Sequence, residues 1–331
     1  MKKHIIYLLI TLFGFQSLLN AQRIERVEPP NWWVGMKHNT VQVLVYGEDI
    51  SQWEPRIESP HIQLKKTTRV NNPNYLFLDL LISEKADATT VNIDFYKGKK
   101  KVGSHQYPLL ERDMTIPRKG FDSSDVMYLI TPDRFANGDP SNDVIPGMKE
   151  KVVNRQDEQG RHGGDIKGIR DRLDYIYDLG FTAIWLNPIL ENDMYRTSYH
   201  GYAATDFYKV DQRFGTNEDY VRFSSEAKKR GIKLIPDMVP NHIGSNHWWM
   251  KNLPFADWIN QWPEYTETNH RRTTLQDPHA ALADRKRFSD GWFVPSMPDL
   301  NQRNAHLSRY LIQNSIWWVE YLGAAGIRMD T

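Results

Sequence analysis

FTAIWL at 181–186, IKLIPDMV at 232–239 and GIRMD at 326–330 decide how this chain folds. Each carries a short apolar stretch, the last two hold a carboxylate at or near their ends, and each follows a stretch with helical spacing. Upstream, VMYLI at 126–130 is a continuous apolar run, the pattern of a strand buried on both faces. Ile169, Leu173, Ile176 and Tyr177 then recur at helical spacing, and Gly180 stops that helix. Thr216 caps a second helix that runs to Lys229 before Gly231, and Leu307, Leu311, Trp318 and Leu322 mark a third. Four strand–helix units of this kind form the first half of a parallel β/α (TIM) barrel, a fold of eight strands and about 250 residues. Only 207 residues span 125–331, and residues 244–304 form an irregular insertion after the third strand. The barrel is therefore expected to be truncated and the chain to be the N-terminal piece of a longer protein. An open doubly wound sheet is the alternative.

The pattern before this region has period two. VQVLVY at 41–46, YLFLDL at 75–80 and VNIDFY at 91–96 read as half-buried strands, with a hairpin at Lys97-Gly98-Lys99. They predict a small antiparallel β-sandwich. Residues 1–21, with Lys2, Lys3 and an apolar run at 5–15, read as a secretory signal peptide too short to span a bilayer. The expected domains are thus a signal at 1–21, the sandwich at 22–115 and an incomplete barrel at 116–331. The mature protein is expected in the periplasm, with the extracellular space as the alternative, and without membrane insertion once the signal is removed.

Composition narrows the chemistry. The chain holds 42 Lys+Arg, 41 Asp+Glu and no Cys. Removing the signal takes away Lys2 and Lys3 and leaves 40 basic against 41 acidic residues, which argues against a nucleic-acid or membrane-surface binder. Without Cys there is no disulfide framework, no Cys-ligated zinc and no thiol nucleophile. Aromatic residues make up 12%, and eight of the eleven tryptophans lie between Trp185 and Trp318, which suits a flat ligand such as a sugar and equally a bulky core.

Functional groups of such barrels gather at the C-terminal ends of the strands. The third strand ends in Asp237-Met-Val-Pro-Asn241-His242 and the fourth in Arg328-Met-Asp330; the second leads to a loop carrying Tyr199-His200-Gly201-Tyr202. Residues two apart on a strand share a face, so Arg328 lies beside Asp330, and an arginine there orients a carboxylate and favours its charged form. Any one of these residues alone is more simply a satisfied structural polar group; together they point to a site.

DMVPNH at 237–242, MPDLN at 297–301 and GIRMD at 326–330, with GFTAIWLNP at 180–188 and YHGY at 199–202, resemble in order and spacing the signature regions of the alpha-amylase family of retaining glycoside hydrolases. The sandwich is similar to the N-terminal domain of its neopullulanase and cyclomaltodextrinase branch. The resemblance implies that Asp330 is the catalytic nucleophile and Arg328 its partner. It implies that His200, Tyr202 and His242 hold the sugar, Tyr202 by stacking and the histidines by donating to hydroxyls, and that Asp237 is chiefly structural. The ligand implied is an α-glucan oligosaccharide or polysaccharide, and a homodimer through the sandwich is left open. The family's general acid, a Glu on a fifth strand, and its third carboxylate have no counterpart here, so the chain alone is expected to be inactive.

Asn137, Asp139, Asn142 and Asp143, later joined by Gly163 and Asp165, place three carboxylates and two amides on Gly-rich turns: hard oxygen ligands for calcium, or a polar turn without an ion. The same spacing occurs in the calcium site of neopullulanase-type amylases, and the resemblance implies all six as ligands, Gly163 through its carbonyl. A second site on Asn241 and Asp299, known in other amylases, stays unassigned, because MPDLN departs from the lysine common at its third position. Tryptophans 248, 249, 258, 262 and 292 of the insertion are expected in part to line a glucan cleft, with an insertion core as the alternative. Two rival readings remain: a non-catalytic amylase-like sugar-binding protein, and an α-glucan transglycosylase.

Overall fold

The computed structural model describes residues 23–113 and 119–330; the expected signal peptide lies outside them. The N-terminal unit is a sandwich of two four-stranded sheets. One sheet has the order β1 (Ile24–Glu28), β3 (Thr40–Gly47), β6 (Tyr75–Ile82), β5 (Ile62–Arg69). The other has the order β2 (Trp32–Trp33), β8 (Lys100–Leu110), β7 (Thr89–Lys97), β4 (Glu54–Arg56). All pairings are antiparallel except β2 with β8. The expected hairpin joins β7 to β8 through Lys97↔Lys100, with Gly98 at φ 62°.

Two of the three strands expected to be half-buried are buried on both faces. Along β3 and β6, Val41, Val43, Val45, Leu76, Leu78 and Leu80 fill the sandwich core. The alternate residues dock on the rest of the molecule. Gln42 exchanges backbone and side-chain hydrogen bonds with Gln313 (2.8 and 2.7 Å), and Phe77 packs against Phe255, Trp258 and His306. β7 keeps the expected alternation, because its outer face meets solvent.

The second unit opens with β9 (Met127–Ile130) and α1 (Pro132–Phe135), then α2 (Ile166–Arg170), α3 (Leu173–Asp178) and β10 (Ala183–Leu186). It continues through α4 (Asn217–Lys229), β11 (Lys233–Met238), α5 (Thr273–Gln276), α6 (Leu282–Asp290), α7 (Ala305–Leu322) and β12 (Arg328–Met329). The four strands pair in parallel in the order β9, β10, β11, β12. The order never reverses, so right-handed crossovers place the connecting helices α3, α4 and α7 on one face, as in a barrel. A doubly wound sheet needs a reversal, and the alternative falls.

The helix expected across 169–177 is two short ones. Ile169 of α2 and Leu173 and Ile176 of α3 are buried, whereas Tyr177, about 100° further round α3 than Ile176, is 57% exposed. α4 matches its sequence signals: Thr216 and Asp219 form a reciprocal capping box, and Gly231 turns at φ 74°. β9 departs from the reading of a strand buried on both faces. Met127 and Leu129 are 39% and 47% exposed, because β9 is an edge strand and they lie on the face opposite the helices.

Candidate active site

The register of the parallel sheet brings the polar strand ends together. Asp237 pairs with Arg328, and Asp330 follows with its N–H donating to Met238 O at 2.8 Å. Arg328 Nη1 bonds Asp237 Oδ1 at 3.1 Å and Oδ2 at 3.2 Å, and also the Asp330 carboxylate. Asp237, buried within the sheet, is the hub: its Oδ2 accepts from Trp185 Nε1 (2.9 Å) and from the Tyr202 hydroxyl (3.1 Å). Burial raises the Asp237 carboxyl; the Trp185 N–H, the Arg328 charge and the Tyr202 hydroxyl pull it down.

Beside this network lies a cavity of about 400 Å³ lined by His200, Tyr202, His242, Phe293, Met297 and Asp330. Its size falls within the range of ligand pockets. Asp330 thus faces the three residues expected to hold a sugar. His200 Nδ1 accepts the Tyr202 N–H at 2.9 Å, which leaves the proton on Nε2 as a free donor. Burial, and then His242, lower the His200 pKa to about 4, so it donates as a neutral ring.

His242 differs from expectation. Its Nε2 donates to Tyr202 O (2.9 Å), which leaves Nδ1 to accept from Asn241 Nδ2 (3.2 Å). With both nitrogens engaged it fixes the Tyr202 loop and offers the cavity its ring rather than an N–H. The ring stacks on Phe293, centroids 5.4 Å apart and planes within 15°.

The insertion lends the cavity Phe293 and Met297, and none of its five tryptophans. Trp249 and Trp258 are fully buried, Trp248 packs against Tyr46 and Tyr75 of the sandwich, and Trp262 and Trp292 bond to backbone carbonyls inside the insertion. The signal for Phe293 and Met297 was their position at and just before MPDLN, which bridges back to the third strand end through His242↔Asp299. The contact of Trp185 with Asp237 carries no comparable signal, since a tryptophan in an apolar run reads as core.

The calcium candidates are brought together in part. Asn137 Nδ2 donates to Asp143 Oδ1 at 2.8 Å, and Gly163, at φ 85°, passes so close that a Cβ there would lie 2.7 Å from that oxygen. Asn137 Oδ1 and Asn142 Oδ1 are buried without a hydrogen-bond partner. Asp165 instead caps α2, accepting from the N–H groups of Gly138, Asp139 and Gly168, while Asp139 accepts from Ser141. Among the described residues no three His, Cys, Asp or Glu side chains gather as a metal-binding group. A cation here would depend on Asp143 with the two amide oxygens, a donor set that fits calcium.

A family model described as "Alpha amylase, catalytic domain" matches residues 129–331, and one described as "Cyclomaltodextrinase, N-terminal" matches residues 26–113. The chain is 32% identical over 251 residues to Neopullulanase 2 of Thermoactinomyces vulgaris, covering 71% of this chain and 38% of that protein. It is 29% identical over 279 residues to the cyclomaltodextrinase of Thermoanaerobacter pseudethanolicus, covering 80% and 45%. The crystal structure of an Anoxybacillus alpha-amylase superposes with a TM-score of 0.52 at 38% identity, covering 62% of this chain and 40% of that one. The chain spans less than half the length of these relatives.

Proposed function

Because the chain belongs to the alpha-amylase family, we propose that it carries the nucleophile half of a retaining glycosidase site for α-glucans, of the neopullulanase or cyclomaltodextrinase type. The observation that carries the reading is the Asp237–Arg328–Asp330 network opening on a cavity with His200 and Tyr202. In the proposed reaction an Asp330 oxygen attacks the anomeric carbon, the glycosidic C–O bond breaks, and its electron pair leaves on the departing oxygen, which takes a proton from a general acid. The Tyr202 face packs on the sugar, and His200 Nε2–H donates to a hydroxyl.

A retaining site needs its second carboxyl about 5–5.5 Å from the nucleophile. Among the described residues lining the cavity Asp330 is the one carboxylate. This chain by itself is therefore expected to bind maltooligosaccharides and not to cleave them. Calorimetry with maltotetraose tests this: Tyr202→Ala should weaken binding roughly tenfold, and Asp330→Asn should retain it. Absence of binding by the native chain refutes the site, and release of reducing ends refutes the need for an outside proton donor.

Calcium is proposed at Asn137, Asn142, Asp143 and the Gly163 carbonyl, with Asp139 and Asp165 shaping the turns around it. What supports it is the pair of buried, unbonded amide oxygens. The thermal midpoint should fall on adding a chelator and return with calcium; Asn137→Ala should abolish that response. A midpoint indifferent to chelator removes the site. Export rests on Lys2, Lys3 and the apolar run at 5–15. N-terminal sequencing of secreted protein should begin at Gln22, and retention of residues 1–21 overturns it.

A further inference from the structure

Trp185 has a place in the site that neither motif nor composition assigns. On β10, Ile184 and Leu186 are fully buried on the helix side, whereas Trp185 lies on the opposite face, in register with Ile235 of β11. Asp237 is two residues beyond Ile235 and so shares that face, one pleat closer to the cavity. The indole N–H reaches up to Asp237 Oδ2 at 2.9 Å, and the guanidinium carbon of Arg328 sits over the indole ring, 5.0 Å from its centroid.

Both contacts answer a need of the network. Among the described residues, every hydrogen bond of Arg328 to a carboxylate runs through Nη1. Contacts through one nitrogen leave the guanidinium plane free to swivel, unlike a two-nitrogen fork. A ring face beneath the guanidinium removes that freedom, because the attraction is strongest with the cation over the ring. Asp237 in turn is buried, which keeps its carboxyl above the usual range; the indole N–H is one of three donors that offset part of that burial and favour the charged form that holds Arg328.

We propose that Trp185 is a positioning residue: its N–H holds the Asp237 carboxylate, its ring face holds the Arg328 guanidinium, and through them it fixes the aim of Asp330 into the cavity. The proposal rests on the reading of Asp330 as nucleophile, and its test separates the two.

Trp185→Phe keeps a ring beneath the guanidinium and removes the N–H; Trp185→Leu removes both. In the isotope-labelled chain, carbon NMR follows the Asp237 and Asp330 carboxyls with pH. Nitrogen NMR follows rotation of the Arg328 guanidinium, assigned by its loss in Arg328→Lys. In Trp185→Phe the proton affinity of Asp237 should rise tenfold or more while guanidinium rotation stays slow. In Trp185→Leu rotation should also quicken at least tenfold. A residue that only fills space would leave the titrations and the rotation where they are. Variants that melt like the native chain with both readouts unchanged overturn the proposal, and Trp185→Phe decides alone if Trp185→Leu does not fold. If the native chain binds no maltooligosaccharide while both readouts still move, the positioning contacts stand and the nucleophile reading is what fails.

Discussion

Asp237 is bonded from three directions, by Trp185, Tyr202 and Arg328, and these arrive from β10, the loop after it and β12. A carboxylate shared in this way locks three chain segments at one point, so small errors in any of them reach the cavity. The tightest backbone constraint nearby is Gly201, between His200 and Tyr202. It sits at φ 81°, and a Cβ there would lie 1.8 Å from the Pro188 carbonyl oxygen. Relief requires the loop to move, taking with it the His200–Tyr202 bond and the Tyr202 carbonyl that anchors His242. Gly201→Ala is expected to cost about 2 kcal/mol or more and to abolish maltotetraose binding, read by thermal melting and calorimetry. Native-like binding by this variant would show that the loop does not depend on that backbone geometry.

At the scale of elements, stability and site separate. α4 lies on the outer face of the sheet, and its N-terminus is closed by Thr216 and Asp219, each side chain bonded to the other's backbone N–H. Thr216→Ala should cost about 1 kcal/mol by chemical denaturation and leave maltotetraose affinity unchanged; a parallel loss of affinity would tie the helix start to the cavity. The same contrast explains what the sequence made legible. Caps, glycine stops and apolar runs are local signals, so Thr216, Gly231 and the four strands could be read directly. Asp330, Arg328, His200 and Tyr202 were legible because strand ends of a barrel converge. The hydrogen bonding of His242 was not, because its Nε2 partner is a carbonyl 40 residues away. Nor was the second buried face of β3, where Gln42 and Tyr46 look like solvent positions until Gln313 and Trp248 cover them.

Across the whole molecule the two units are joined by side chains that neither could bury alone. Besides the Gln42–Gln313 pair, Trp317 Nε1 donates to Asn31 Oδ1 at 3.1 Å, and Trp33 packs on the Trp317 ring. At the centre Glu28 of β1 accepts from the Tyr310 hydroxyl (2.7 Å) and from Arg26 Nη1 (3.1 Å), and Arg26 also reaches Asp206 (2.7 Å). Burial, and then the Asp206 charge, push the Glu28 carboxyl up to about 7, against the pull of Arg26 and the Tyr310 hydroxyl. In the unfolded chain it titrates near 4.5. Between those values the folded state holds the proton and the unfolded state releases it, so Glu28 makes stability fall as pH rises from about 4.5 to 7. The penalty at pH 8 is on the order of 3 kcal/mol. Glu28→Gln keeps an oxygen for Arg26 and turns its amide toward the Tyr310 oxygen, with no charge to bury. Its thermal midpoint should exceed the native one by several degrees at pH 8 and match it at pH 4, below both values. An equal difference at both pH values would mean that Glu28 is ionised in the folded protein throughout, and that the joint between sandwich and barrel is a plain ion pair.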